Sequence, residues 1–179
     1  MQKNLILILL ISFIFLQSFE IKANPSVELN YSSKTEIQSV IKKQIFAFQK
    51  ENYKKAFSYA SPNIQNTFKN SEDFIKMVKK GYSPLLNLKK FRFGKLIYLK
   101  NTKIQKVILF TKNNQLFKAY YQMIKIHDNS WKIDGVLIMS SNGPTIQPIK
   151  LWLKQQNHSI NLNLLEDNFS NDKLDAGVA

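Results

Sequence analysis

Residues 56–68 read AFSYASPNIQNTF, and the serine–proline pair in the middle decides how this part of the chain folds. A residue that precedes proline is pushed out of the helical conformation, so the pair predicts a break between two helical pieces at Ser61 and Pro62. The apolar residues on both sides recur at helical spacing, which predicts that they pack into the core. They are Ala56, Phe57, Ala60, Ile64 and Phe68.

Helical patterns continue on both sides of this break. Upstream, an apolar stripe predicts a helix that is capped by Ser33 or Thr35. The members of the stripe are Ile37, Val40, Ile41, Ile45 and Phe48. Downstream, Asn70 or Ser71 is placed to cap another helix, and Gly81 is a typical terminator. The buried face of that helix is predicted to consist of Phe74, Met77 and Val78.

Beyond Pro84 the pattern changes from helical spacing to the alternation of strands. Turn-forming residues at 112–115 and 128–130 separate the last three of these segments. The predicted strands are 91–98, with Gly94 as a bulge, 107–111, 117–126 and 131–139. Helices first and strands afterwards predict an α+β fold, in which N-terminal helices pack on one face of an antiparallel four-stranded sheet.

The two ends of the chain differ in composition from the middle. Residues 1–23 combine a basic start, the apolar run Leu5–Leu16 and a final alanine, which is typical of a signal peptide and predicts a periplasmic or secreted protein. The alternative is an uncleaved N-terminal membrane anchor. We interpret 24–33 as a lead-in linker, 34–144 as the folded domain, and 145–179 as a polar, partly disordered extension. The chain has no cysteine, which excludes disulfides.

The net charge of +14 suggests an anionic partner, but the kind of basic residue argues against specific nucleic acid recognition. Arg92 is the only arginine, and arginine is the side chain preferred for bidentate contacts to phosphates and bases. The lysines occur as scattered pairs rather than one block. We therefore predict no specific nucleic acid binding, and at most a weak attraction to anionic membranes or polymers at low salt.

An ordered set of short motifs resembles one known family, DUF4864. The motifs are Gln44-Ile45 with Ala47-Phe48, Ala56-Phe57 with Ala60-Ser61-Pro62, Phe68, Phe74 with Met77-Val78, Gly81-Tyr82 with Pro84, and Trp131 to Val136. Asn52 departs from the pattern, which has aspartate there. The resemblance implies an NTF2-like (cystatin-like) fold, with a curved sheet around a pocket. It also implies that a homodimer could form through the sheet.

The resemblance implies a fold and little chemistry, since some NTF2-like domains are enzymes and many only bind. We expect an exported, non-catalytic binding module whose cavity between helices and sheet takes a small apolar ligand or a partner protein. No cofactor is expected. The candidate pocket residues are Phe48, Tyr59, Tyr82, Tyr121 and Trp131.

Asp134 and Tyr121 are the candidates for the alternative function, a cofactor-free isomerase or hydratase. Asp134 lies among apolar strand residues, where partial burial would suit a general base, and a tyrosine such as Tyr121 would donate a hydrogen bond. The pattern Trp131, Ile133, Gly135, Leu137 places Asp134 on the face opposite the tryptophan, so the sequence favours a structural aspartate that points outward or pairs with Arg92 or a lysine across the sheet.

Serine and metal chemistry have less support. Ser58 and Ser61 would need a nearby general base, and the two histidines, His127 and His158, lie in a turn and in the polar extension. We interpret Ser61 as a residue that bonds to the backbone at a helix end. With no cysteine and no paired histidines, we predict no metal site.

Overall fold

The computed structural model describes residues 25–98 and 102–140, with side chains from Ser32 onwards. The chain divides into two compact units, Met1–Ser32 and Ser33–Ala179, and the second holds the elements discussed below apart from residues 25–32. The predicted signal peptide, 1–23, and the predicted extension, 145–179, lie outside the described residues.

Five helices precede the strands in the described part of the chain. They are α1 (Pro25–Gln49), α2 (Tyr53–Ser58), α3 (Pro62–Phe68), α4 (Ser71–Gly81) and α5 (Ser83–Leu86). Helix α1 begins at Pro25, so residues 25–33 are helical where the sequence predicts a linker. Proline suits a first helical turn, because the N–H that it lacks would have no partner there. None of these helices has the length and hydrophobicity needed to span a membrane.

Side-chain caps set the starts of the three middle helices. The Asn52 side chain accepts a hydrogen bond from the Lys55 backbone N–H at the start of α2. The Ser61 side chain accepts one from the Ile64 backbone N–H at the start of α3. Asn70 is the cap of α4, and that helix ends at Gly81. The predicted break at Ser61–Pro62 and the predicted limits of α4 are therefore confirmed. The caps satisfy N–H groups that the helices themselves cannot.

The four strands form one antiparallel sheet in the order β1-β2-β3-β4. The strands are β1 (Leu88–Tyr98), β2 (Lys103–Thr111), β3 (Leu116–Lys125) and β4 (Trp131–Ser140). Each strand pairs with the next one along the chain, as short turns require. The predicted α+β class, with helices packed against a four-stranded antiparallel sheet, is confirmed.

Three irregularities interrupt the ladders, and the first is a shift in the pairing of β1 with β2 between Leu88 and Lys90. The pairing of β1 with β2 shifts again between Phe93 and Leu96, which is the predicted bulge at Gly94. The pairing of β3 with β4 shifts at Asp134, because Met123 pairs with Ile133 while its neighbour Gln122 pairs with Gly135. A bulge adds one residue to a strand and reverses the face of everything that follows.

The face of the sheet that meets the helices, called here the inner face, carries the main core. Every described helix contributes to it, with Ile37, Ile41 and Ile45 of α1 fully buried. Val107, Leu109, Ala119, Tyr121 and Met123 are the buried inner-face members of β2 and β3. On β4 the inward residues are Trp131 and Ile133, and then Val136 and Ile138. The predicted alternation through Gly135 and Leu137 is wrong, because the bulge at Asp134 reverses it.

The segment between α2 and α3 is attached directly to β4. Ala60 forms an isolated parallel bridge with Ile133. The Ser61 N–H donates to the Ile133 carbonyl at 2.7 Å, and the Ile133 N–H donates to the Tyr59 carbonyl at 3.0 Å. The helix break therefore places residues 59–61 beside the edge of the sheet, where they satisfy backbone groups of β4.

Candidate functional site

A cavity of about 300 Å³ lies between the helices and the inner face of the sheet, beside β4. Its lining residues are Gln44, Phe48, Ala60, Ile64, Phe68, Phe74, Met77, Val78, Tyr82, Leu85, Ile133, Gly135 and Val136. Some, such as Phe74 and Val78, are buried, whereas Met77 and Val136 are half-buried. The cavity thus has a dry inner wall and a rim that solvent reaches.

Phe74 of α4 organises the aromatic wall of this cavity. Its ring centroid lies 5.0 Å from that of Phe57, 5.8 Å from that of Phe68 and 6.2 Å from that of Phe48. Edge-to-face and offset arrangements of this kind stabilise aromatic clusters beyond simple burial. Four helices are therefore joined through one ring.

The two polar side chains of the lining both bond to protein backbone. The Gln44 amide nitrogen donates to the Ala56 carbonyl at 3.2 Å. The Tyr82 hydroxyl donates to the Val136 carbonyl at 3.0 Å, and burial raises the pKa of that hydroxyl. Among the described residues that line the cavity, there is no carboxylate or other charged side chain.

Only part of the predicted pocket set lines this cavity. Phe48 and Tyr82 do. Tyr121 is fully buried in the inner-face core. Trp131 is also in that core, where its indole N–H donates to Glu36 at 3.0 Å, and Tyr59 packs at the margin of the core.

The predicted pocket set lacks most of the lining residues, including Gln44 and Leu85. A signal for Gln44 was present, because it lies at helical spacing between Ile41 and Phe48 on the buried stripe of α1. A polar residue within an apolar stripe is often a buried group with a fixed partner, as it is here. Leu85 belongs to a four-residue helix too short to show any periodicity.

A family model described as "Domain of unknown function (DUF4864)" matches residues 30–146, which is more than half of the chain. The chain belongs to the DUF4864 family. This confirms the resemblance identified from the short motifs. No curated protein and no solved structure matches the chain.

In this DUF4864 domain, Asp134 forms a polar cluster at the bulge of β4. It accepts hydrogen bonds from the Ser61 hydroxyl at 2.5 Å and from the Gln122 amide at 3.3 Å. The Asn63 amide donates a third, longer hydrogen bond to it at 3.5 Å. The Ser61 oxygen also accepts from the Ile64 N–H at 3.3 Å. The cluster fastens the start of α3 to the bulge of β4.

The geometry of this cluster favours a structural role. Ser61 is fully buried, so a substrate has no approach to its hydroxyl. Asp134 is half-buried but does not line the cavity, and neither does Tyr121. Ser58 is exposed and donates to the Lys55 carbonyl at 2.8 Å, which is a local helix contact. The general base and donor of the alternative enzyme hypothesis therefore lie outside the cavity of the DUF4864 domain.

The opposite, or outer, face of the sheet carries a second group of buried side chains. The basic residue of this group is Lys106, which is 4 % exposed. Burial, with smaller contributions from Lys118 and Arg92, lowers its pKa to about 8. Burial also raises the pKa of the neighbouring Tyr120 to about 12. These shifts mark the outer face as desolvated.

Metal ligands are not gathered anywhere in the described part of the DUF4864 domain. Within residues 25–98 and 102–140, no group of three or more histidine, cysteine, aspartate or glutamate side chains could hold a metal ion.

Proposed function

We propose that this protein is a non-catalytic binding module that takes a small apolar ligand into the cavity between its helices and β4. The observation that carries the proposal is the lining: apolar and aromatic side chains with two polar groups, both bonded to backbone carbonyls. Ligand sites are commonly apolar clefts of this kind with few polar groups.

The volume limits the size of the ligand. A cavity of about 150 Å³ holds benzene, and typical ligand pockets begin at roughly 300 Å³. The cavity here, at about 300 Å³, suits a molecule of one or two rings or a short branched chain. The rings of Phe48, Phe68 and Phe74 favour an aromatic ligand, which can stack or meet them edge to face.

Methionine methyl groups give a direct test. Among the methionines with described positions, Met77 lines the cavity, Met123 is buried in the core, and Met139 lies near the end of β4. Naphthalene or indole, titrated into protein labelled with ¹³C at the methionine methyls, should shift the Met77 signal and leave those of Met123 and Met139 in place. Equal shifts at all three, or none at saturating ligand, would contradict the proposal.

A pair of tryptophan substitutions on β4 provides the matched control. Val136→Trp fills the mouth of the cavity and should weaken naphthalene binding at least tenfold, a loss of about 1.4 kcal/mol. Ile138→Trp adds the same side chain two residues further along the same inner face, outside the lining, and should leave binding unchanged. Equal weakening by both variants would show that the cavity is not the site.

We further propose the finer assignments that the sequence supports. The helix–sheet arrangement and the family membership support an NTF2-like fold, for which a solved structure of the domain is the test. The composition of residues 1–23 supports export, and N-terminal sequencing of the mature protein would test it. Binding of a partner protein, a homodimer through the sheet and weak attraction to anionic surfaces remain predictions, which native mass spectrometry and salt-dependent retention on heparin address.

A further inference from the structure

The outer face of the sheet holds a continuous patch of buried side chains that the described helices do not cover. Its members, here called the outer patch, are Ile97, Ile104, Lys106, Ile108, Tyr120 and Gln122, each at most 6 % exposed. Register makes them neighbours, since Ile97 pairs with Ile104, Ile104 with Gln122, and Lys106 with Tyr120.

The described helices do not account for the burial of the apolar members of this patch. All five helices contribute to the inner-face core, and the four apolar members of the outer patch are absent from that core. A face that is dry, largely apolar and on the side away from the described helices requires another segment above it.

One end of the outer patch is basic. Ile108 pairs with Arg92 on one side and with Lys118 on the other. Strands β1, β2 and β3 contain no acidic residue at all. A segment that covers the patch would therefore gain from a carboxylate at this end, because opposite charges at a desolvated surface attract strongly.

Residues 160–166 of the same chain have the matching pattern. They read INLNLLE, in which Ile160, Leu162, Leu164 and Glu166 fall in one phase, and Asn161, Asn163 and Leu165 fall in the other. Alternation with a period of two predicts a strand with one apolar face, and that face ends in a carboxylate. Asp167 follows directly and adds a second negative charge.

The connection is long enough. Strand β4 ends at Ser140, which pairs with Phe117 beside Lys118. Crossing from β4 to β1 covers three strand spacings, or roughly 14 Å. The intervening residues 141–159 reach further than this even at the ~1.5 Å per residue of a helix.

We propose that residues 160–167 of this chain lie on the outer face of the sheet, with Ile160, Leu162 and Leu164 on the outer patch and Glu166 beside Arg92 and Lys118. The outer face is then closed within one chain, rather than by a second copy. This inference does not depend on the ligand cavity, which lies on the other side of the sheet.

Isoleucine methyl groups separate the two faces in one experiment. A soluble gadolinium chelate should leave the methyls of Ile97, Ile104 and Ile108 protected in the full chain. In a variant that ends at Ser159, their relaxation should rise several-fold, while the inner-face methyls of Ile41 and Ile133 stay protected. A control that ends at Phe169 keeps the covering segment and should behave as the full chain does. Unchanged protection in the shorter variant would overturn the proposal.

A second measurement uses the intact chain, in case the shorter variant does not fold. Carbodiimide treatment joins a carboxylate to a lysine that it contacts, and it should link Glu166 or Asp167 to Lys118. In an equal mixture of ¹⁴N and ¹⁵N protein, each link should join two peptides that carry the same nitrogen isotope. Mixed-isotope links, which show a second copy on the face, or the absence of any link to Lys118, would overturn the proposal. Glu166→Gln with Asp167→Asn is the control and should lose the link.

Discussion

Lys106 should make the stability of this protein rise with pH in the alkaline range. The side chain is 4 % exposed, and burial, followed by the charges of Lys118 and Arg92, lowers its pKa from 10.5 to about 8. Between these two values the unfolded chain holds the proton more tightly than the folded chain does. The free energy of unfolding increases with pH wherever the unfolded state binds more protons. The buried, protonated Lys106 therefore destabilises the folded state fully below about pH 8. This destabilisation is lost as the pH approaches 10.5.

The magnitude follows from the two pKa values. Their difference corresponds to roughly 3 kcal/mol at pH 7, of which roughly 2 kcal/mol is recovered between pH 8 and pH 10. Tyr120 acts in the opposite direction above pH 10, since burial raises its pKa to about 12 and the folded chain then holds more protons. We therefore expect maximal stability near pH 10, above the usual range for proteins.

Urea unfolding followed by circular dichroism at pH 8, 9 and 10 measures this effect. Lys106→Met should remove most of the rise and should be more stable than the wild type at pH 7. A smaller rise should persist, because burial also lowers the pKa of Lys103. Lys118→Met removes the same charge from a half-buried position on the same face and should keep the rise. A wild-type stability that is flat between pH 8 and pH 10, or an unchanged slope in Lys106→Met, would refute the reasoning.

Three further substitutions test the packing and backbone. Phe74→Ala should lower the free energy of unfolding by about 3–5 kcal/mol, because Phe74 is 5 % exposed and contacts three other rings. Phe46→Ala is the control, because the Phe46 ring is 43 % exposed, and it should lower the free energy of unfolding by less than about 1 kcal/mol. Similar losses in the Phe74 and Phe46 variants would contradict the assignment of the core. Ser61→Ala should lower the free energy of unfolding by about 1–3 kcal/mol, because it removes both a helix cap and a hydrogen-bond donor to half-buried Asp134. Ser61→Thr keeps the hydroxyl and should retain most of the stability. Urea titrations of the two variants measure the difference. Lys69→Gly should raise the free energy of unfolding by about 1 kcal/mol, because φ is 61° at this residue, and a lower melting temperature would argue against strain there.

The elements with local signals were predictable from the sequence. Helix α4 has an asparagine cap at Asn70 and a terminating glycine at Gly81, and both limits follow from backbone chemistry within a few residues. The break at Ser61 is equally local, since it depends on the proline that follows. Such signals act through near neighbours and need no knowledge of the rest of the fold.

The register of β4 was not predictable in the same way. Regular alternation places Gly135 on the inner face, but the bulge at Asp134 places Val136 there instead. The partner that Asp134 contacts, Ser61, is distant in sequence, so no local pattern indicates where the extra residue falls. A one-residue shift reverses every later side chain, and this is why the error extended to the end of the strand.

The composition of the cavity was predicted only in part for a related reason. Tyrosines were assigned to a pocket because they join an apolar ring to a polar group. Tyr121 lies at the centre of the sheet and is fully buried in the core, whereas Tyr82, at the end of α4, lines the cavity. Periodicity indicates which face a side chain occupies, but not how deep in the domain it lies. Depth depends on how helices and sheet meet.

The bridge between Ala60 and Ile133 has a consequence for self-association. It occupies the edge of β4 at Ile133, whereas, within the described residues, the outer edge of β1 pairs with no strand. Lys89, Lys90, Arg92 and Lys95 all lie on β1, which has no acidic residue. Two copies that approached through this edge would bring like charges together, a repulsion that natural sheets use against aggregation. Salt screens such repulsion, so the protein should stay dispersed in dilute buffer and lose this protection as the ionic strength rises.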